Sequence, residues 1–153
     1  MKKFITLLLS LLLFLSIAGC KESPHAHSYN YKGACSCGES VAMEMTTSTE
    51  YWQREASLSP AHSVEAGKTY YYFTQKQYSW FYLTTMVGES DADSLISSCK
   101  IYLADGTKLS DPTSFEELNV IIVPDEYVGN LYFEVTYAQS SDNVILIASI
   151  PEI

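Results

Sequence analysis

From Val41 onward the apolar residues recur at every second position rather than every 3.6, and this alternation limits the fold more than any other feature. The segments 69–74 (Thr-Tyr-Tyr-Tyr-Phe-Thr) and 79–86 (Ser-Trp-Phe-Tyr-Leu-Thr-Thr-Met) are dense in β-branched and aromatic side chains, which pack well on a pleated surface. In 99–104, Cys99, Ile101 and Leu103 share one face and Lys100 and Tyr102 the other. Asp105-Gly106 then signals a hairpin turn into Thr107-Lys108-Leu109. Segments 118–123 and 143–149 are nearly continuous apolar runs, predicting strands buried on both faces. Leu131, Phe133, Val135 and Tyr137 alternate with Tyr132, Glu134 and Thr136, predicting one wet face. An early strand is expected over 41–47.

Helical patterning is scarce. Asp111-Pro112 followed by Glu116 and Glu117 supports about one turn, and 93–98 reads as another short turn. The sum is an all-β chain, an antiparallel β-sandwich of jelly-roll type. At 153 residues it is one domain. No period of 20–50 residues repeats, so a solenoid is not expected.

Composition removes several functions. Twelve tyrosines and six phenylalanines are far too many for a disordered chain. With 18 acidic against 9 basic residues the net charge is −9, which argues against nucleic acid held on a basic face. There is no G-x-S-x-G, no H-E-x-x-H and no paired-carboxylate frame, and His62 stands alone in the polar turn 59–63. Catalysis is not expected.

The first twenty residues read as an address. Lys2 and Lys3 precede an apolar run of about a dozen residues, short of the roughly 20 that span a bilayer as a helix. Ile17-Ala18-Gly19-Cys20 then resembles the lipobox of bacterial lipoproteins. That resemblance implies cleavage before Cys20, acylation of its thiol and an extracytoplasmic chain on the cell membrane or outer membrane. The expected divisions are a signal peptide over 1–19, a tether with a His/Cys segment over 20–40, and the sandwich over 41–153. An acidic body is repelled by anionic headgroups and should stand away from the lipid surface.

Within 25–37 lie His25, His27, Cys35 and Cys37. Imidazole and thiolate together suit Zn²⁺, and four such donors complete a tetrahedron. C-x-C and H-x-H are tighter than the usual zinc spacings, yet two extended arms of a hairpin would converge alternate side chains. Two other readings stand beside the metal. Once Cys20 is acylated, Cys99 is available to form a disulfide with Cys35 or Cys37, or the segment is a linker with reduced cysteines. His27, Tyr29, Cys35, Cys37 and Gly38 resemble the short zinc-ribbon-like pieces of bacterial surface proteins, where H-x-Y precedes C-x-C-G.

A second resemblance runs over 64–149. Ala66-Gly67-Lys68 opens an aromatic strand, Ile101 to Thr107 carries the D-G hairpin, and Val128 to Val135 carries a G-x-x-Y-F-x-V strand. The order is similar to bacterial pre-peptidase C-terminal domains, which implies a non-catalytic accessory sandwich that sometimes binds calcium or an extracellular polymer. Glu89, Asp91 and Asp93 offer oxygens for calcium, without the EF-hand glycine or its twelfth-position glutamate. Tyr71, Trp80 and Tyr82 offer ring faces on which a sugar can stack. The expected function is a lipid-anchored module recognising a glycan or protein at the envelope. Its alternatives are metal handling, with zinc or copper bound by the His/Cys segment, and a structural spacer.

Overall fold

A computed structural model of the protein describes residues 26–49, 56–110 and 120–150, and of Asp91, Asp93 and Ser110 the backbone alone. These residues form, in chain order, β1 (Met43–Glu44), β2 (Thr46–Ser48), β3 (Ala56–Leu58), β4 (His62–Val64), β5 (Thr69–Gln75) and β6 (Trp80–Val87). There follow β7 (Ser90–Asp91), a 3-10 turn (Asp93–Leu95), β8 (Ile96–Tyr102), β9 (Lys108–Ser110), β10 (Val120–Ile122), β11 (Asn130–Tyr137) and β12 (Ser141–Ser149).

Two sheets result. The first has the order β1-β5-β11-β8-β9, and the second β10-β6-β12-β3-β2, with β4 also on β12 and β7 on β6. Every pairing is antiparallel except β1 with β5, where Met43 lies opposite Tyr72. The fold is an all-β sandwich.

Alternation places the core. Leu131, Phe133, Val135 and Tyr137 of β11 are buried, as are Tyr72 of β5 and Cys99 and Ile101 of β8. From the second sheet Phe81 and Leu83 of β6 and Val144, Leu146 and Ala148 of β12 meet them. Phe81 and Phe133 cross edge to face at 6.0 Å between the layers. Each large apolar side chain buried this way contributes roughly 1.5–3 kcal/mol. A smaller cluster of Ala56, Met86 and Ile147, with Leu58 and Ile145, lies on the opposite face of the second sheet, so β12 is apolar on both faces as its sequence predicts.

Three expectations need correction. The strand expected over 41–47 is two strands: the chain turns through buried Met45, whose N–H donates to Phe73 O at 2.8 Å, and passes from one sheet to the other. The apolar run ending at Val123 is not buried on both faces. β10 is an edge strand in which Ile121 is 1% exposed, Val120 48% and Ile122 73%, because only one side has a second layer over it. Ile96–Ser98 continue β8 instead of a turn, which stops at Leu95. The turn expected around 111–117 lies outside the described residues.

His62 is no loop residue. It begins β4, donates from Nδ1 to Pro60 O at 2.9 Å and shares a hydrogen bond between Nε2 and the Tyr72 hydroxyl at 2.8 Å. Tyr72 and Tyr137 share a further hydrogen bond at 2.9 Å. Burial pushes both phenols far above their ordinary pKa, so they stay protonated and the chain of bonds satisfies the polar atoms this core encloses.

Candidate metal centre

Residues 26–41 fold back on themselves twice. At the first reversal Asn30 Oδ1 accepts from Lys32 N at 2.9 Å and Ala34 N at 3.2 Å, and Gly33 N donates to Asn30 O at 2.8 Å. An asparagine that bonds backbone two residues on mimics a turn and so initiates one. At the second, Gly38 N donates to Cys35 O at 2.9 Å and Cys35 N to Glu39 O at 2.7 Å. Antiparallel bridges Tyr29–Cys35 and Ala34–Ser40 tie the three arms into a ribbon.

The ribbon lies on the outer face of the first sheet. Tyr71 and Phe73 of β5, Tyr132 and Glu134 of β11, and Lys100 and Tyr102 of β8 form that face, as the strand register requires. Tyr31 packs at a tilt against Tyr102 at 5.0 Å, meets Tyr132 edge-on at 5.9 Å, and donates its hydroxyl to Ala104 O at 3.0 Å. The Lys32 ammonium sits 5.4 Å from the Tyr31 and Tyr132 rings alike. Gly33 has φ +64, and a Cβ there would stand 2.8 Å from Tyr71 Cβ and 3.1 Å from Ala42 Cβ. Only glycine accepts both that backbone and that approach.

On this support three of the expected donors converge: one ligand atom each from His27, Cys35 and Cys37 lies within 4.8 Å of the others. His27 Nδ1 is 3.5 Å from Cys37 Sγ. Tetrahedral zinc, with bonds of about 2.0 Å to nitrogen and 2.3 Å to sulfur, needs a nitrogen–sulfur separation of about 3.5 Å. The Cys37 N–H points at Cys35 Sγ at 3.5 Å. Hydrogen bonds from the Cys37 side chain and backbone, then from His27, lower the Cys35 thiol to about 6, while the neighbouring Cys35 sulfur raises that of Cys37. The lowered Cys35 thiol favours the deprotonated sulfur that metal ligation would use. Tyr29 stacks on His27 at 5.8 Å and 10° and fixes the imidazole plane. Glu39 Oε2 reaches His27 Nδ1 at 2.8 Å.

The remaining candidates sort differently. Among the described residues Cys35, Cys37 and Cys99 form no disulfide with one another, and Cys99 is enclosed between the sheets at 1% exposure, away from the ribbon on the outer face. The Cys99 disulfide reading is corrected accordingly. Cys20 and His25 lie outside the described residues. Glu89 is exposed in the tight β6–β7 turn, and the side chains of Asp91 and Asp93 lie outside the description. Tyr71, Trp80 and Tyr82 do not form one platform: the ribbon covers Tyr71, while Trp80 and Tyr82 point outward from the second sheet. Glu39 was not singled out in the sequence, although Gly38 between Cys37 and Glu39 marks the reversal that returns position 39 over Cys35.

Comparison with protein-family models, curated proteins and solved structures returns no match.

Replacing Gly33 by Ala should loosen the ribbon. A cost of roughly 1–3 kcal/mol raises the open fraction roughly 5- to 150-fold. Tryptic cleavage after Lys32, followed by mass spectrometry, should accelerate to match. Gly67→Ala serves as the control, since its φ is +74 but nothing lies within 4 Å of the added Cβ. Equal cleavage after Lys32 in both variants would contradict the packing argument.

Proposed function

We propose that this chain is a zinc-binding lipoprotein of the cell envelope, in which His27, Cys35 and Cys37 hold one Zn²⁺ at the junction between a lipid tether and the β-sandwich. The observation that carries the reading is the convergence of one imidazole and two thiols within 4.8 Å of one another, with His27 Nδ1 and Cys37 Sγ at the 3.5 Å a single tetrahedral ion sets between them. Borderline-soft Zn²⁺ takes that mixture, and the low Cys35 thiol reduces proton competition for it. The ribbon is packed on Tyr71, Tyr102 and Tyr132 rather than hanging free, which favours a retained ion that staples the ribbon over one delivered elsewhere. The anchor rests on the lipobox-like Ile17-Ala18-Gly19-Cys20. Acyl chains contribute about 0.8 kcal/mol per buried methylene, and more than one chain is needed for stable attachment.

Full-length protein purified in mild detergent should contain one zinc per chain by elemental analysis and lose it in the Cys35→Ser/Cys37→Ser variant. Palmitate labelling should require Cys20. Sub-stoichiometric zinc that the double variant leaves unchanged would remove the metal reading, and label persisting in Cys20→Ser would remove the anchor.

A second reading, recognition of an envelope glycan by the sandwich, is favoured by one strip on the second sheet. Trp80 and Tyr82 sit edge to face at 6.0 Å, paired across the strands with exposed Ile122 and Val120. Rings of this kind present an apolar face with a polar tip, which suits a sugar. Capture on immobilised envelope polysaccharides should fall at least several-fold in Trp80→Ala; no capture by the unaltered chain on any polymer would count against it.

A further inference from the structure

Three protein donors leave a tetrahedral ion one position short. The sequence offers His25 for it by spacing; the folded ribbon offers a different group. We infer that Glu39, not His25, is the fourth ligand, making the site two thiolates, one imidazole and one carboxylate. This rests on the zinc reading above.

The position of the carboxylate is decisive. A carboxylate that merely supports a metal-bound histidine bonds the ring nitrogen facing away from the ion. Glu39 Oε2 instead lies 2.8 Å from His27 Nδ1, the same nitrogen that faces Cys37 Sγ at 3.5 Å. The oxygen therefore lies on the ion-facing side of the imidazole, beside the His27–Cys35–Cys37 group rather than within its 4.8 Å span. In the metal-free protein it accepts the Nδ1 proton, and the ion replaces that proton and takes both atoms. Sharing an ion separates such a nitrogen and oxygen by about 3.4 Å. A swing of the Glu39 side chain, which is 47% exposed, sets that separation and carries the oxygen toward both sulfurs.

The backbone holds Glu39 in place independently of the ion. Its carbonyl accepts the Cys35 N–H at 2.7 Å, so residues 35 and 39 close the same turn from either side. Tyr29, stacked on the His27 ring, lies close enough to Glu39 to feel its charge. A hard oxygen in the fourth position also disfavours Cu⁺, which prefers soft ligands alone, and keeps the site suited to Zn²⁺.

Cobalt(II) titration of the full-length chain in detergent separates the alternatives, because its visible bands report coordination geometry and its ultraviolet charge-transfer band counts thiolates. Glu39→Gln should weaken cobalt binding at least roughly tenfold and shift the visible bands, with the thiolate band intact. Glu39→His should restore tetrahedral bands, which also shows that position 39 tolerates substitution. His25→Ala should change neither affinity nor spectrum. Bands and affinity that respond to His25→Ala, or that ignore Glu39→Gln, would overturn the assignment while leaving the zinc reading intact. If the unaltered chain gives no thiolate band at all, the zinc reading itself fails.

Discussion

Close backbone contact at Gly33 is the constraint on which the rest of the site depends. The outer face of the first sheet is lined with tyrosines, and a ribbon can settle there only where one residue brings bare backbone against Tyr71. Once it does, Tyr31 drops between Tyr102 and Tyr132, and Val41 N closes onto Gly33 O at 2.9 Å. The two reversals that follow are then fixed in space. Cys35 becomes buried at 8% exposure while Cys37 and His27 stay at the surface. The convergence of His27, Cys35 and Cys37 is thus a consequence of aromatic packing on a sheet, an arrangement that needs no ion to form.

The sandwich supplies rigidity to that support. β5, β11 and β8 lie side by side in the middle of the first sheet, and their inner faces are held by Tyr72, Phe133, Val135 and Ile101, all at 0% exposure. Period two then guarantees that the intervening residues of the same strands point to the ribbon. Lys100 and Glu134, paired at 2.6 Å on that outer face, and the half-covered tyrosines are therefore set by the core alternation beneath them.

Much of this was legible in the sequence, and the omissions have physical reasons. β5, β6, β11 and β12 were plain because each runs seven to nine residues with strong alternation or continuous apolarity, whereas β8 was read only from Cys99 because Ile96-Ser97-Ser98 shows no period of its own. β3 and β4 were missed because three residues, Ala56–Leu58 and His62–Val64, are too few to display a period. The two-sided burial read into 118–123 failed because an apolar run does not reveal whether its strand is central or at an edge. In the site, residue chemistry identified His27, Cys35 and Cys37, since few side chains bind soft metals. Glu39 was hidden because carboxylates are common on surfaces and only the turn at Gly38 brings this one back. The split of Tyr71 from Trp80 and Tyr82 was equally invisible, because it depends on which sheet each strand joins.

The claim that the ribbon is docked before any ion arrives is open to direct measurement by hydrogen exchange on the metal-free protein. The amides of Gly33, Cys35 and Val41, bonded to Asn30 O, Glu39 O and Gly33 O, should be protected well beyond the exposed amides nearby. Exchange of all three at the rate of a free peptide, with protection appearing only when zinc is added, would contradict the account and make the metal the cause of the fold rather than its guest.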